Sequence, residues 1–255
     1  MKSGALALVS VVTLLVVGFM FFGQSRVTAA AQSGPRVPVV VELFTSEGCS
    51  DCPPADALLL ELQQKQPVSG VEIIPLELHV DYWNELGWPD RFSSAAMTAR
   101  QQEYSRRFGL RSVYTPQMVV DGHDEFVGSD SRLALQKIAG AARGSKLNVA
   151  LARDADGVQV EVSGTAGATG DVLLAITEDN LASSVGAGEN RGRQLRHTAV
   201  VRDLRLLGNA RDGHFSARPA LKLNPEWRRQ NLRAVVFVQQ PNFGPILGAA
   251  ALPLN

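Results

Sequence analysis

The stretch Phe44–Asp56, FTSEGCSDCPPAD, holds both cysteines of a 255-residue chain, three positions apart. Ahead of it runs VPVVVELF (Val37–Phe44), β-branched and apolar, which reads as a buried strand. Behind it, Pro53 suits the first turn of a helix, and Ala55, Leu58, Leu59 and Leu62 recur on one helical face. The order is strand, short loop, C-x-x-C, helix. It sets Cys49 beside a helix N-terminus, where free amide hydrogens and the macrodipole favour a thiolate. Cys49 is expected toward the loop surface and Cys52 under the helix start.

Thiols this close admit three uses. As a staple, a four-residue loop gains only about 2 kcal/mol in the chain-entropy model, and strained short disulfides are easily reduced. As half of a structural zinc cage, the pair lacks a second pair of thiols. As a redox couple, the spacing is well suited, and that use is favoured. Asp51 between the cysteines, with Glu47 nearby, opposes a thiolate and points toward the reducing end of the potential range.

The pattern continues with VEIIPLELHV (Val71–Val80) as a second strand and Ser93–Phe108 as a helix. QMVVDG (Gln117–Gly122) and DEFVG then read as short strands, and SRLALQKIAGAA as a closing helix. Strands alternating with helices predict an α/β domain over residues 36–144, with a partly parallel sheet and its reactive loop at the carboxyl edge. After GARGSKLN the texture changes to alternating segments punctuated by Gly, Asp and Asn. These predict a separate β-rich, sandwich-like domain over residues 146–255. His197 and His214 in that half lack metal spacing.

At the N-terminus, Gly4–Phe22 is an uncharged apolar run followed by Ala29-Ala30-Ala31, an A-x-A pattern. Residues 1–31 therefore read as a signal peptide or, given the length of the run, a retained membrane anchor. Either sends the rest out of the cytosol, to the periplasm or beyond. A formal net charge of zero, without a basic stripe, argues against nucleic-acid binding.

Val-Glu-Leu-Phe before Cys49-Ser50-Asp51-Cys52-Pro53, and Thr115-Pro116 entering a later strand, resemble the thioredoxin-like superfamily. FTSEGCSDCPPAD, HVDYWNELGW, YTPQMVVDG and GRQLRHTAVVRDLRLLG are similar to a secreted bacterial family, catalogued as a domain of unknown function with a thioredoxin-like core. The resemblance implies Cys49 as attacking thiol and Cys52 as resolving thiol. It implies a cis peptide at Pro116, with that proline against the disulfide, and Glu42 as a buried acid relaying the resolving proton. The implied partners are exported protein thiols or disulfides and a redox protein, and no cofactor is implied. His79, Asp81, Tyr82, Trp83 and Thr115 form an expected substrate rim. Alternatively, Cys49, Cys52 and His79 with Met118 would suit Cu(I) in a copper-delivery module. A third reading is a binding protein with an inert disulfide.

Overall fold

The computed structural model describes Met1 and residues 35–255, so the apolar N-terminal run and its candidate cleavage site lie outside the described residues. Strand β1 (Val37–Thr45) runs parallel to β2 (Val71–His79), in register from Val37 opposite Val71 to Thr45 opposite His79. Between them α1 (Pro53–Lys65) begins on two prolines and buries Ala55, Asp56, Leu59 and Leu62. Helix α2 (Ala95–Phe108) is capped by the Ser94 hydroxyl and closed by Gly109 at φ 66°. Strand β3 (Gln117–Val120) lies antiparallel to β1 and turns into β4 (Asp124–Val127). Helix α3 (Ser131–Ala141) starts where the Asp130 carboxylate accepts the Leu133 amide at 2.8 Å.

The remaining elements are all strands: β5 (Asn148–Arg153), β6 (Val158–Ser163), β7 (Gly170–Glu178), β8 (Leu181–Ser184), β9 (Gln194–His197), β10 (Val200–Ala210), β11 (Phe215–Ala217), β12 (Leu232–Gln239) and β13 (Ile246–Pro253). The largest sheet has eight strands in the order β13-β12-β7-β10-β2-β1-β3-β4. Strands β11, β6 and β5 form a second sheet, and β8 pairs with β9.

This overturns the expected α/β thioredoxin-like domain followed by a separate sandwich-like β domain. Strands of both halves share one mixed sheet, and strand outweighs helix, with three α-helices among the described residues. The join is β2 with β10, parallel at Glu77 opposite Val200, where the Glu77 amide donates to the Ala199 carbonyl at 2.9 Å. An uncovered β2 edge would present unpaired backbone groups, and β10 pairs with it at Glu77. Apolar packing crosses the join as well. Val40, Phe44, Leu76, Leu78 and Tyr104 share a cluster with Ala175, Val235, Phe237 and Ile246. A second cluster packs β5 and β6 against β7 and β12, and a third packs α1 and α3 against β1 and β3.

The two faces of β1 differ in chemistry. Val39, Val41 and Leu43 face the α1 side, whereas Val40 and Phe44 belong to the cluster of Tyr104 on α2. Glu42 falls on that second face, by the two-residue period of a strand. Its fully buried carboxylate receives Arg100 Nε at 2.6 Å, Arg100 Nη2 at 3.1 Å and the Tyr104 hydroxyl at 2.5 Å. Arg100 Nη2 also donates to Gln239 Oε1 at 3.0 Å, tying α2 to β12.

Arg100→Met leaves the Glu42 carboxylate buried without its cation, and is expected to cost about 3–5 kcal/mol in urea unfolding. The double variant Arg100→Met/Glu42→Gln should cost clearly less than the two single changes summed. Simple additivity would mean that the two groups are not coupled as described.

Candidate functional site

The loop leaving β1 folds back on itself: the Cys49 amide donates to the Ser46 carbonyl at 3.2 Å, and the Cys52 amide to the Cys49 carbonyl at 3.3 Å. Cys49 and Cys52 are joined as a disulfide with Cα atoms 5.4 Å apart, at the N-cap of α1. Both are buried, Cys49 at 1% exposure and Cys52 at 0%. The expectation of a surface-facing Cys49 is therefore corrected; Ser50 and Asp51 are the exposed members of the turn. Water around Asp51 screens the repulsion expected from it.

The segment linking β8 to β9, residues 185–193, lies across this turn. Asn190 Nδ2 donates to the carbonyls of Glu47 at 2.9 Å and Cys49 at 2.8 Å, and Glu189 Oε2 accepts the Ser50 amide at 3.0 Å. Gly188, at φ 71°, sits so close to Trp88 that a Cβ there would come within 3.2 Å of the Trp88 Cβ. A left-handed backbone pressed against a neighbouring side chain is a place for glycine.

The expected rim is brought near the turn but is largely occupied. Trp83 Nε1 donates to Thr115 Oγ1 at 2.9 Å, and a Cβ on Gly48 would meet the Trp83 Cβ at 3.1 Å. Asp81 Oδ1 accepts from Thr98 at 2.6 Å, while Tyr82, bonded to Gln101 at 3.2 Å, is exposed. The Thr115–Pro116 bond is cis, and Pro116 is buried. Glu42 lies on the α2 side, held by Arg100, and Met118 packs in the apolar cluster of Leu43 and Leu59.

Beside the disulfide turn lies a buried polar group that sequence reading largely missed. It contains Glu47, Asp56, Glu77, His79, Asp90 and His197. His79 Nδ1 stands 2.6 Å from Asp90 Oδ2, and His197 Nδ1 stands 2.8 Å from Glu77 Oε1. Asp90 Oδ2 also accepts the Glu47 amide at 2.9 Å, and Glu47 Oε2 accepts Trp88 Nε1 at 2.7 Å. Burial disfavours both imidazoliums, but Asp90 and then Glu77 push His79 up to about 9, and Glu77 and Glu47 push His197 up to about 11. Burial likewise opposes ionisation of Glu47, Glu77 and Asp90, and the imidazoles outweigh it, holding all three below the usual carboxylate range.

Asp56 goes the other way. Burial first, then the charge of Glu77, pushes it up to about 7, against the pull of His197, Thr45 and His79. Its Oδ1 accepts the Thr45 hydroxyl at 2.6 Å, and its amide donates to the Cys52 carbonyl at 3.1 Å. It stands within a helical turn of Cys52. Glu77 and His79, two apart on one strand face, were a legible signal. Nothing local marked His197, 120 residues from Glu77.

A family model described as "Protein of unknown function (DUF1223)" matches residues 40–239. Among similar solved structures is the X-ray crystal structure of protein AGR_C_4864 from Agrobacterium tumefaciens. It is 29% identical with a TM-score of 0.74, and the match covers 88% of this chain and 97% of that one. HBP35 of Porphyromonas gingivalis is 17% identical with a TM-score of 0.59, over 87% of this chain and 76% of that one, a likeness of fold alone. No curated protein matches the chain.

Two outcomes are expected. Asn190→Ala removes both bonds to the cysteine turn and should speed reduction of the disulfide by dithiothreitol about tenfold, the equivalent of about 1.4 kcal/mol; an unchanged rate means that segment 185–193 does not guard it. Because the folded state raises the Asp56 value, its contribution is full below the unfolded value near 3.8 and is lost as pH rises through about 7. Asp56→Asn should therefore gain stability over the parent at pH 8, on the order of a few kcal/mol, and not at pH 4. Denaturation showing the same difference at both pH values would contradict this.

Proposed function

The chain thus belongs to the DUF1223 family, and from the geometry of its site we propose that it is an exported thiol–disulfide exchange protein working through Cys49 and Cys52. One observation carries the reading. The disulfide closes a four-residue loop at the head of α1, too short to contribute much as a staple, beside a buried acid poised near neutrality. The finer likeness to the thioredoxin-like superfamily rests on this local arrangement and the cis Thr115–Pro116 bond, not on the architecture of the whole sheet.

In the exchange, a substrate thiolate attacks Cys49 Sγ, the Cys49–Cys52 bond breaks, and Cys52 leaves as a thiolate. Asp56 is the candidate to supply the proton that Cys52 then takes up. A second substrate thiolate attacks the substrate sulfur of the mixed disulfide, releasing substrate disulfide and Cys49 as a thiolate. Two substrate thiols are oxidised and one protein disulfide is reduced; run backwards, the same steps reduce a substrate. The buried sulfurs require segment 185–193 to lift first. Pro116 and the rim of Tyr82, Trp83 and Thr115 would then border the substrate chain. The N-terminal sequence supports an oxidising compartment, where protein thiols and disulfides are the available partners.

The test is the midpoint potential against glutathione buffers, together with trapping by Cys52→Ser. A potential between about −270 and −120 mV and mixed disulfides through Cys49 are expected. A potential below about −300 mV, with no trapped adduct even in Asn190→Ala, would mark the disulfide as structural and end the proposal.

A further inference from the structure

Where β2 meets β10, one carboxylate oxygen stands between two imidazoles. Glu77 Oε1 lies 3.4 Å from His79 Nε2 and 2.8 Å from His197 Nδ1. The other nitrogen of each ring faces a different carboxylate: His79 Nδ1 is 2.6 Å from Asp90 Oδ2, and His197 Nε2 is 3.3 Å from Glu47 Oε1. All five side chains are buried, and the ring centroids are 4.8 Å apart. Yet His79 Nε2, His197 Nε2 and Glu47 Oε1 make no hydrogen bond among the described residues. Buried polar atoms are normally paired, so the orphaned His79 Nε2, turned toward Glu77 Oε1, marks a place for a cation.

We infer that Glu77, His79 and His197 form a binding site for a divalent transition-metal cation of the zinc type. Their donor atoms lie within 4.8 Å of one another. A zinc ion sits about 2 Å from each ligand, so its donors stand roughly 3.3 Å apart. The two Glu77–histidine separations already bracket that value. Neutral imidazole with carboxylate is a donor set for zinc and its first-row neighbours, with no thiolate needed, and the metal takes the place of the proton on each donor nitrogen.

The surroundings are built for the task. Metal-bound imidazoles are oriented through their far nitrogen by a carboxylate, and here Asp90 stands behind His79 and Glu47 behind His197. Glu77 Oε2 is fixed by the Thr198 amide at 2.8 Å. Three protein ligands leave a fourth position open. The site stands apart from the thiol chemistry, since the cysteines are bonded to each other, but Glu47 couples it to the cysteine turn.

The test uses the full chain, stripped with EDTA and re-equilibrated with Zn²⁺, then with Co²⁺ as a spectroscopic probe. The expected result is about one equivalent of zinc retained through gel filtration. The cobalt form should show the intense visible bands of a four-coordinate site with no thiolate charge-transfer band. Cys49→Ser/Cys52→Ser should bind as the parent does, Asp90→Asn about 10–100-fold more weakly, and His79→Gln or His197→Gln not at all. A folded parent that retains no zinc would show a network held by protons alone and overturn the proposal. Six-coordinate cobalt, a thiolate band, or undiminished binding in a folded His197→Gln would equally overturn it. Should the histidine variants fail to fold, the parent's stoichiometry and cobalt spectrum decide the matter.

Discussion

Glu77 is the residue through which the two halves of the sheet hold each other. Its amide goes to the Ala199 carbonyl, its carboxylate takes the Thr198 amide, and the same carboxylate faces His79 on its own strand and His197 from β9. Each contact crosses the β2–β10 join or stands at its end. A fully buried carboxylate costs several kcal/mol to desolvate and is tolerated only when fully paired. The pairing here comes mostly from the other half of the chain. The first half on its own would leave this acid with His79 alone, 3.4 Å away, beside an open strand edge, and the second half completes its pairing.

The same constraint fixes the chemistry of the cysteine turn. Thr198 and Ala199 dock beside Glu77, and that anchors the β8–β9 hairpin whose linking segment lies over Cys49. Asn190 and Glu189, which bond the backbone of that turn, belong to the second half of the chain. A helix N-terminus favours a thiolate by local electrostatics, and here the turn that carries Cys49 is also bonded by a distant segment. The polar group around Glu77 joins the two, through Glu47 on the cysteine turn and His197 on the hairpin.

How much of this was legible depends on range. VPVVVELF reads as a strand because its branched apolar residues need no partner information, and β1 does span Val37–Thr45. Pro53 and the leucines after it place α1 for the same local reason, and Ser94 and Gly109 bound α2. The pairing of β10 with β2 leaves no mark in either segment, since a parallel neighbour imposes only burial, and a buried strand is apolar whatever lies beside it. Glu42 shows the intermediate case. Alternation along β1 fixes that it shares a face with Val40 and Phe44 and not with Leu43, but only the packing of α1 and α2 says which face meets the cysteines. Gly186 and Gly188 carry no local mark that they lie against Trp88.

The sheet order also has a consequence for the path by which the molecule forms. Its central pair joins Glu77 to Val200, far apart in the chain, and chains dominated by such distant contacts close large loops before any contact rewards them, so they fold slowly. The disulfide spans three positions and needs no such closure. It can form in a chain that has not yet brought β10 to β2, and its presence is no record of correct assembly. The cysteine pair and the sheet around it are ordered on separate clocks, and only the arrival of the β8–β9 hairpin brings the two together.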